Sequence, residues 1–370
     1  MTGIHSRSLA ELAHEPWRQR WLRRAISIPG YTFLFCFLLG TAPAWVPLAA
    51  LFDVLRGSSF MALRVLTGAL VFLAYEMAGI VASLGLWLVY RLPGPGQAQR
   101  FRRGNIRLQA WWAERLFEAA RVLFRLRLSV DAPPDAGRGP VLIFIRHTHL
   151  ADALLPAVAI SNRSGVQLRY VLKSELLWDP CLDIVGHRLP NCFVRRGTRD
   201  TSGDVSVVEA LLEDLGPGDG VLIYPEGTRF TPEKRTELLA RYATAGDRDA
   251  AARVARFRHV LPPRPGGSMA LLARNPGADV LFVGHVGFEG AATANDTWRT
   301  RFLDRDLRVH CWRVPFADIP SEPEAQAAWL DRQWERMDAW VGATTAPELE
   351  PVDQIALARP SQYGSRSLRL

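Results

Sequence analysis

The chain has 370 residues, enough for a sizeable core and for more than one structural unit. Hydrophobic residues make up 48% and charged residues 22%, which excludes disordered, collagen-like and low-complexity chains. Lys and Arg outnumber Asp and Glu by 45 to 37, and the net charge of +8 suits an anionic membrane surface or a phosphorylated substrate.

Residues 25–52 carry no ionised side chain, and residues 65–90 carry only Glu76. Both runs exceed the roughly 20 apolar residues that span a bilayer. Pro43 and Pro47 interrupt the first run and predict a kink or a re-entrant path, because lipid cannot satisfy the backbone groups they free. Glu76 would cost about 2.5–3.5 kcal/mol near a helix centre, so protonation or an interhelix hydrogen bond is expected. Arg18, Arg20, Arg23 and Arg24 precede the first run, and Arg91, Arg100, Arg102 and Arg103 follow the second. The positive-inside rule places both flanks in the cytoplasm. The expected organisation is a basic segment 1–24, a membrane hairpin 25–91, a cytoplasmic domain 102–345 and a loose tail 346–370. Spanning and monotopic hairpins both fit this pattern. The expected location is the membrane, the inner membrane if the cell is bacterial.

Residues 102–126 are basic and amphipathic, with Trp111, Trp112, Phe117 and Phe124 near helical spacing among Arg107, Arg115, Arg121 and Arg125. This pattern fits a helix in the lipid headgroup zone and equally a core-facing helix. From residue 127, short β-rich runs alternate with helical ones. Strands are expected at 141–145, 167–172, 191–194, 221–224, 280–286 and 307–314. Helices are expected at 151–160, 205–215, 232–258 and 324–341. The fold class is therefore α/β, a largely parallel sheet flanked by helices, preceded by an N-terminal membrane helical hairpin. The four cysteines show no C-x-x-C spacing and read as reduced, mostly buried thiols.

In such sheets ligands gather at the carboxyl ends of the strands. Three expected strand ends carry unusual loops: Arg146-His147-Thr148-His149-Leu150-Ala151-Asp152, then Arg195-Arg196-Gly197, then Pro225-Glu226-Gly227-Thr228-Arg229. A carboxylate on the Nδ1–H of His147 would fix its tautomer and free Nε2 for general-base work. A structural histidine is the alternative. A metal site of His147, His149 and Asp152 lacks a third ligand cluster, and no metal is expected. Pro225 and Gly227 shape a tight turn. Arg229 and Arg196 offer guanidinium forks for phosphate oxygens, and Glu226 would orient Arg229 or a substrate hydroxyl.

His147-x4-Asp152, Phe193-Val-Arg-Arg196 and Tyr224-Pro-Glu-Gly-Thr-Arg229, in this order, resemble the signature of the lysophosphatidic acid (1-acylglycerol-3-phosphate) acyltransferase family. The Lys173-Ser-Glu-Leu segment resembles that family's lysine block. The resemblance covers roughly residues 141–272. Arg146, His149 and Arg195 depart from it, and Val260-Leu-Pro-Pro-Arg264 is similar to a Leu-Pro-Arg branch of the fourth block. The resemblance implies a glycerolipid acyltransferase-like fold and an O-acyltransferase of phospholipid biosynthesis. His147 would deprotonate a lysophospholipid hydroxyl that attacks an acyl thioester, with Asp152 orienting His147. Lys173, Arg196, Glu226, Gly227, Thr228 and Arg229 would form the phosphate site. Acyl-CoA or an acyl-carrier protein would be the donor substrate, with no bound cofactor and no nucleic acid. Lys173 is one of only two lysines in the chain. Two rival readings are a non-catalytic phospholipid-binding module and a serine hydrolase using Ser268 in Gly266-Gly-Ser-Met-Ala270.

Overall fold

The computed structural model describes residues 15–90, 96–194, 208–289 and 302–345. The expected tail 346–370 and Arg196 lie outside them. Helix α1, Trp17–Gly40, follows Pro16. It stops at Thr41, and the chain restarts as α2, Ala42–Arg56, with Pro43 in its first turn. Pro43 has no N–H to offer the Leu39 carbonyl, which favours a break in the apolar run at this point. The indole Nε1 of Trp45 donates to the carbonyl of Leu38 at the end of α1 (2.8 Å). Helix α3, Met61–Val89, opens on the Asp53 carboxylate, which accepts the N–H groups of Ala62 (3.0 Å) and Leu63 (2.9 Å) as a cap.

Helices α1 and α3 are long and apolar enough to cross a membrane, and only 11% and 17% of their apolar windows are buried. They pack on one another through contacts such as Tyr31 on Phe72. Glu76 is fully buried in protein and not in lipid. It accepts hydrogen bonds from Trp112 Nε1 (2.9 Å) and the N–H of Cys181 (3.1 Å), which is the interhelix pairing expected of it.

Helix α4, Gln97–Phe124, starts five residues before the expected stretch. Leu108, Ala113, Phe117 and Phe124 are buried, whereas Arg103, Arg107 and Arg121 face outward. The core-facing reading therefore describes it.

Seven strands form one sheet in the order β1-β7-β6-β2-β5-β3-β4. They are β1 Arg127–Asp131, β2 Val141–Ile145, β3 Gln167–Lys173, β4 Cys192–Val194, β5 Asp219–Ile223, β6 Asp279–Val286 and β7 Asp306–Val314. All neighbours pair parallel except β6 with β7. The sheet is largely parallel, as expected. Strand β2 lies between β5 and β6, and all five of its residues are buried. That is why it reads as an unbroken apolar run. Alternate side chains then serve two cores. Ile143 and Ile145 join Phe117 and Phe124 of α4 on one face. Leu142 and Phe144 join Trp329, Trp334 and Met337 on the other.

The helices differ more from expectation. The stretch 151–160 is not one α-helix: a 3-10 turn, Leu150–Ala153, precedes a π-helical segment, Ala157–Ser161. The stretch 232–258 divides into α6, Pro232–Thr244, and α7, Arg248–Arg256, where Gly246 takes a φ of 71° and Asp247 caps the second helix. Pro265–Ala273 forms a helix, α8, that the glycine-rich sequence conceals. The last described helix, α9, is Pro323–Thr345.

A short helix, α5 (Pro180–Gly186), ties α1 to the sheet. Its Asp183 is fully buried and accepts hydrogen bonds from Arg23 Nη2 and Arg24 Nε, both at 2.9 Å. His187 Nδ1 lies 2.9 Å from the same carboxylate. Removing one partner of a buried charge cluster leaves the others uncompensated. Asp183→Ala should therefore lower stability by about 3–5 kcal/mol, read as thermal unfolding in detergent. A loss below about 1 kcal/mol would show that water takes over these charges.

Candidate active site

Parallel pairing brings the carboxyl ends of β2, β5, β3 and β4 to one edge of the sheet. Phe144 is level with Ile223, and Tyr170 with Leu222. The residues after β2 and those after β5 must therefore emerge side by side. The N–H of Arg146 still reaches across to the Val283 carbonyl (3.1 Å). One residue on, His147 has left the sheet and is held by the β5 loop. Its N–H donates to Glu226 Oε1 (3.0 Å), and its carbonyl accepts the N–H of Phe230 (2.7 Å).

His147 Nδ1 lies 3.2 Å from Oδ2 of Asp152. A five-residue separation becomes a side-chain contact because the chain winds into the 3-10 turn. The same Oδ2 accepts the N–H groups of Thr148 and His149, the latter at 2.7 Å, so the aspartate caps the turn that carries it. Asp152 is fully buried. Burial opposes its charge, but His285, His147 and the His149 N–H together hold the carboxyl below its ordinary range. Burial lowers the His147 imidazole, and Asp152 only partly offsets this. At neutral pH the ring is thus uncharged. The carboxylate assigns its proton to Nδ1, which leaves Nε2 as an acceptor.

The turn after β5 completes the arrangement. Gly227 has φ of 64°, and a Cβ there would stand 2.8 Å from Cδ of Arg264. The left-handed backbone favours glycine here, and any Cβ would also have to push the Arg264 side chain aside. Thr228 Oγ1 and the Arg229 carbonyl each accept from Lys234 Nζ at 3.1 Å. The Arg229 charge is close enough to depress both His147 and His149. Lys173 closes β3 at the same edge, level with Val194.

Glu226 requires a correction. Instead of facing a phosphate or orienting Arg229, its carboxyl is 1% exposed and spans two backbones. Oε1 accepts from His147 N–H, and Oε2 from Leu261 N–H (2.9 Å). The structure thus brings together His147, Asp152, Gly227, Thr228 and Arg229, with Lys173 on the same edge. Ser268 lies inside α8, 1% exposed, and its hydroxyl has no partner among the described residues. Among the described residues no group of three or more His, Cys, Asp and Glu is placed to hold a metal ion.

Sequence reasoning passed over the second layer of support. Oδ1 of Asp338, on α9, accepts the N–H groups of Arg258 (2.8 Å), His259 (2.6 Å) and Val260 (3.1 Å). The fully buried Arg146 donates to the carbonyls of His259 (3.0 Å) and His285 (2.6 Å) and to Glu289 Oε1 (2.6 Å). The legible signal was Asp338 itself, a carboxylate beside the apolar stripe of Leu330, Trp334, Met337 and Val341.

The Acyltransferase family profile matches residues 125–272. The chain is 24% identical over 208 residues to 1-acyl-sn-glycerol-3-phosphate acyltransferase epsilon of Mus musculus, covering 54% of this chain and 56% of that relative. It is 25% identical over 256 residues to the delta protein of Homo sapiens, covering 66% and 65%. The chain thus spans between half and two thirds of the length of these two relatives. It is 24% identical over 327 residues to the human gamma protein, covering 81% and 80%. The crystal structure of the 1-acyl-sn-glycerophosphate (LPA) acyltransferase PlsC from Thermotoga maritima aligns with a TM-score of 0.48 and 16% identity, covering 76% of this chain and 98% of that one.

Glu226 yields a test. Burial pushes its carboxyl up to about 8, against the pull of Leu261 N–H, the Arg146 charge and His147 N–H. Between its ordinary value of about 4.5 and about 8, the folded state holds a proton that the unfolded state releases, so this group makes stability fall as pH rises. Glu226→Gln should remove that slope from melting temperature against pH. The amide can accept only one of the two N–H groups, so the variant should also lose about 1–3 kcal/mol of stability.

Proposed function

We propose that this chain, whose residues 125–272 match the Acyltransferase family, is a lysophosphatidic acid acyltransferase-like enzyme that moves a fatty acyl group from an acyl thioester to the free hydroxyl of a lysophospholipid. The acceptor we favour is 1-acylglycerol-3-phosphate, which would yield phosphatidic acid. The observation that carries this reading is the His147–Asp152 contact at 3.2 Å with the Arg229 charge nearby. It joins an uncharged imidazole to a cation suited to phosphate.

In this mechanism His147 Nε2 takes the proton of the acceptor hydroxyl as its oxygen attacks the thioester carbonyl. The tetrahedral intermediate collapses with cleavage of the C–S bond. The leaving sulfur recovers the proton from His147, and no acyl-enzyme forms. Asp152 keeps Nδ1 protonated and stabilises the transient imidazolium. Arg229, Lys173 and Arg196 bind the phosphate, and the bare Cα of Gly227 with the neighbouring Thr228 lets it approach the backbone. Holding the hydroxyl beside the base removes about 7–11 kcal/mol from a bimolecular barrier when alignment is good.

The apolar helices give the second half of the proposal. With hairpin 25–91 in the bilayer and domain 102–345 at the cytoplasmic leaflet, the site meets a lipid acceptor and a water-soluble donor, acyl-CoA or an acyl-carrier protein. The flanking arginines support that orientation.

Labelled acyl thioester supplied to purified membranes with a panel of lysophospholipids tests the reading. His147→Ala should lower kcat by about 10²–10⁴-fold with the fold intact by circular dichroism. Full activity in that variant would reject the base. Arg229→Ala removes a charge-assisted contact worth about 1.5–3 kcal/mol and should reduce kcat/KM for the acceptor about 10–100-fold. An effect confined to the donor KM would misplace the phosphate. Because His147 must be deprotonated, the rate should fall on the acid side with a midpoint below the ordinary imidazole value of 6.5.

A further inference from the structure

His285 lies near the end of β6 and is 1% exposed. Its Nε2 stands 2.9 Å from the carbonyl oxygen of Arg146 and 3.6 Å from Oδ2 of Asp152. A carbonyl can only accept, so Nε2 carries a hydrogen. Arg146 returns the contact by donating from Nη1 to the His285 carbonyl (2.6 Å). The two residues therefore bracket the ends of adjacent strands β2 and β6, one residue before His147.

Packing alone does not account for a histidine here. Its surroundings are apolar on one side, with the Phe288 ring edge-on at 5.9 Å. Its Nδ1 has no partner among the described residues. A buried polar atom left unpaired costs about 1–3 kcal/mol, which a leucine of similar volume would avoid. What leucine would lack is the N–H that lies between a backbone carbonyl and the Asp152 carboxylate.

The geometry points to His285 as a positioning residue for acyl transfer, whose Nε2–H pins the Arg146 carbonyl and faces Oδ2 of Asp152, so that the carboxylate stays turned to His147. This rests on the functional reading above. Oδ2 already accepts from Thr148, His149 and His147, and the 3.6 Å separation from His285 is too long for a hydrogen bond. His285 acts on Asp152 through the field of its N–H dipole and on the His147 loop through the Arg146 carbonyl. It touches no substrate.

Glutamine and asparagine separate this role from mere space filling. The amide nitrogen of glutamine can occupy the place of Nε2, whereas that of asparagine reaches only the place of Nδ1. His285→Gln should keep kcat within about threefold of wild type, and His285→Asn should lose about 10–100-fold in kcat with both KM values little changed. In an Asp152→Asn background, His285→Asn should add no further loss, because the group it acts through is already altered. Equal kcat in the two variants, or a full additional loss without Asp152, overturns the proposal. Should either variant fail to fold, wild-type protein labelled with 15N-histidine decides. His285 must show hydrogen on Nε2 and none on Nδ1, and the opposite tautomer overturns the assignment. Wild type and His147→Ala run alongside: a wild type that acylates no lysophospholipid fails the functional reading, while the tautomer still tests the His285 geometry.

Discussion

One oxygen atom, Oδ2 of Asp152, organises the candidate site. It gathers the N–H groups of Thr148 and His149 and the Nδ1 of His147, while Oδ1 has no partner among the described residues. A buried carboxylate is tolerated only when it is hydrogen-bonded this way, and the bonds in turn dictate the tight turn after β2. Ring orientation, tautomer and loop shape therefore follow from one constraint. Moving Asp152 by a single residue would break all three.

The support for that turn comes from distant parts of the chain. Asp338 on α9 fixes the backbone of 258–260, Leu261 passes its N–H to Glu226, and Glu226 holds His147. Each link is a carboxyl oxygen on a backbone N–H, at 2.6–3.1 Å and largely buried. Such a series resists small displacements, and a base requires that of its surroundings. It also explains why Glu226 stands beside a site suited to anions: its buried carboxyl faces two backbone N–H groups, and burial favours its uncharged form.

The apolar helices are joined to the sheet by polar contacts as well. Glu76 of α3 meets Trp112 and Cys181, and Arg23 and Arg24 of α1 meet Asp183. Groups that would be costly in lipid are the ones that hold the helices on the globular part. In the proposed function, such an attachment would give the sheet edge a set orientation to a membrane that holds α1 and α3, as acyl transfer to a lipid acceptor would require.

The strands, the two apolar helices and the loops with His147, Asp152 and Arg229 were legible because they depend on local pattern. A central parallel strand is apolar throughout, a membrane helix is long and uncharged, and a site residue follows a strand end. The break at Thr41 was legible too, since a proline's missing N–H is local. Strand β1 escaped notice because its residues alternate at the sheet edge, between exposed and half-buried, and lack an apolar run. Helix α8 escaped because glycine and proline open it. The partners of Glu226, the bracket between Arg146 and His285, and the reach of Asp338 to residues 258–260 were decided by the tertiary structure alone. Each joins residues at least 35 positions apart, and only strand pairing and helix packing set which buried N–H a given carboxyl or carbonyl can meet.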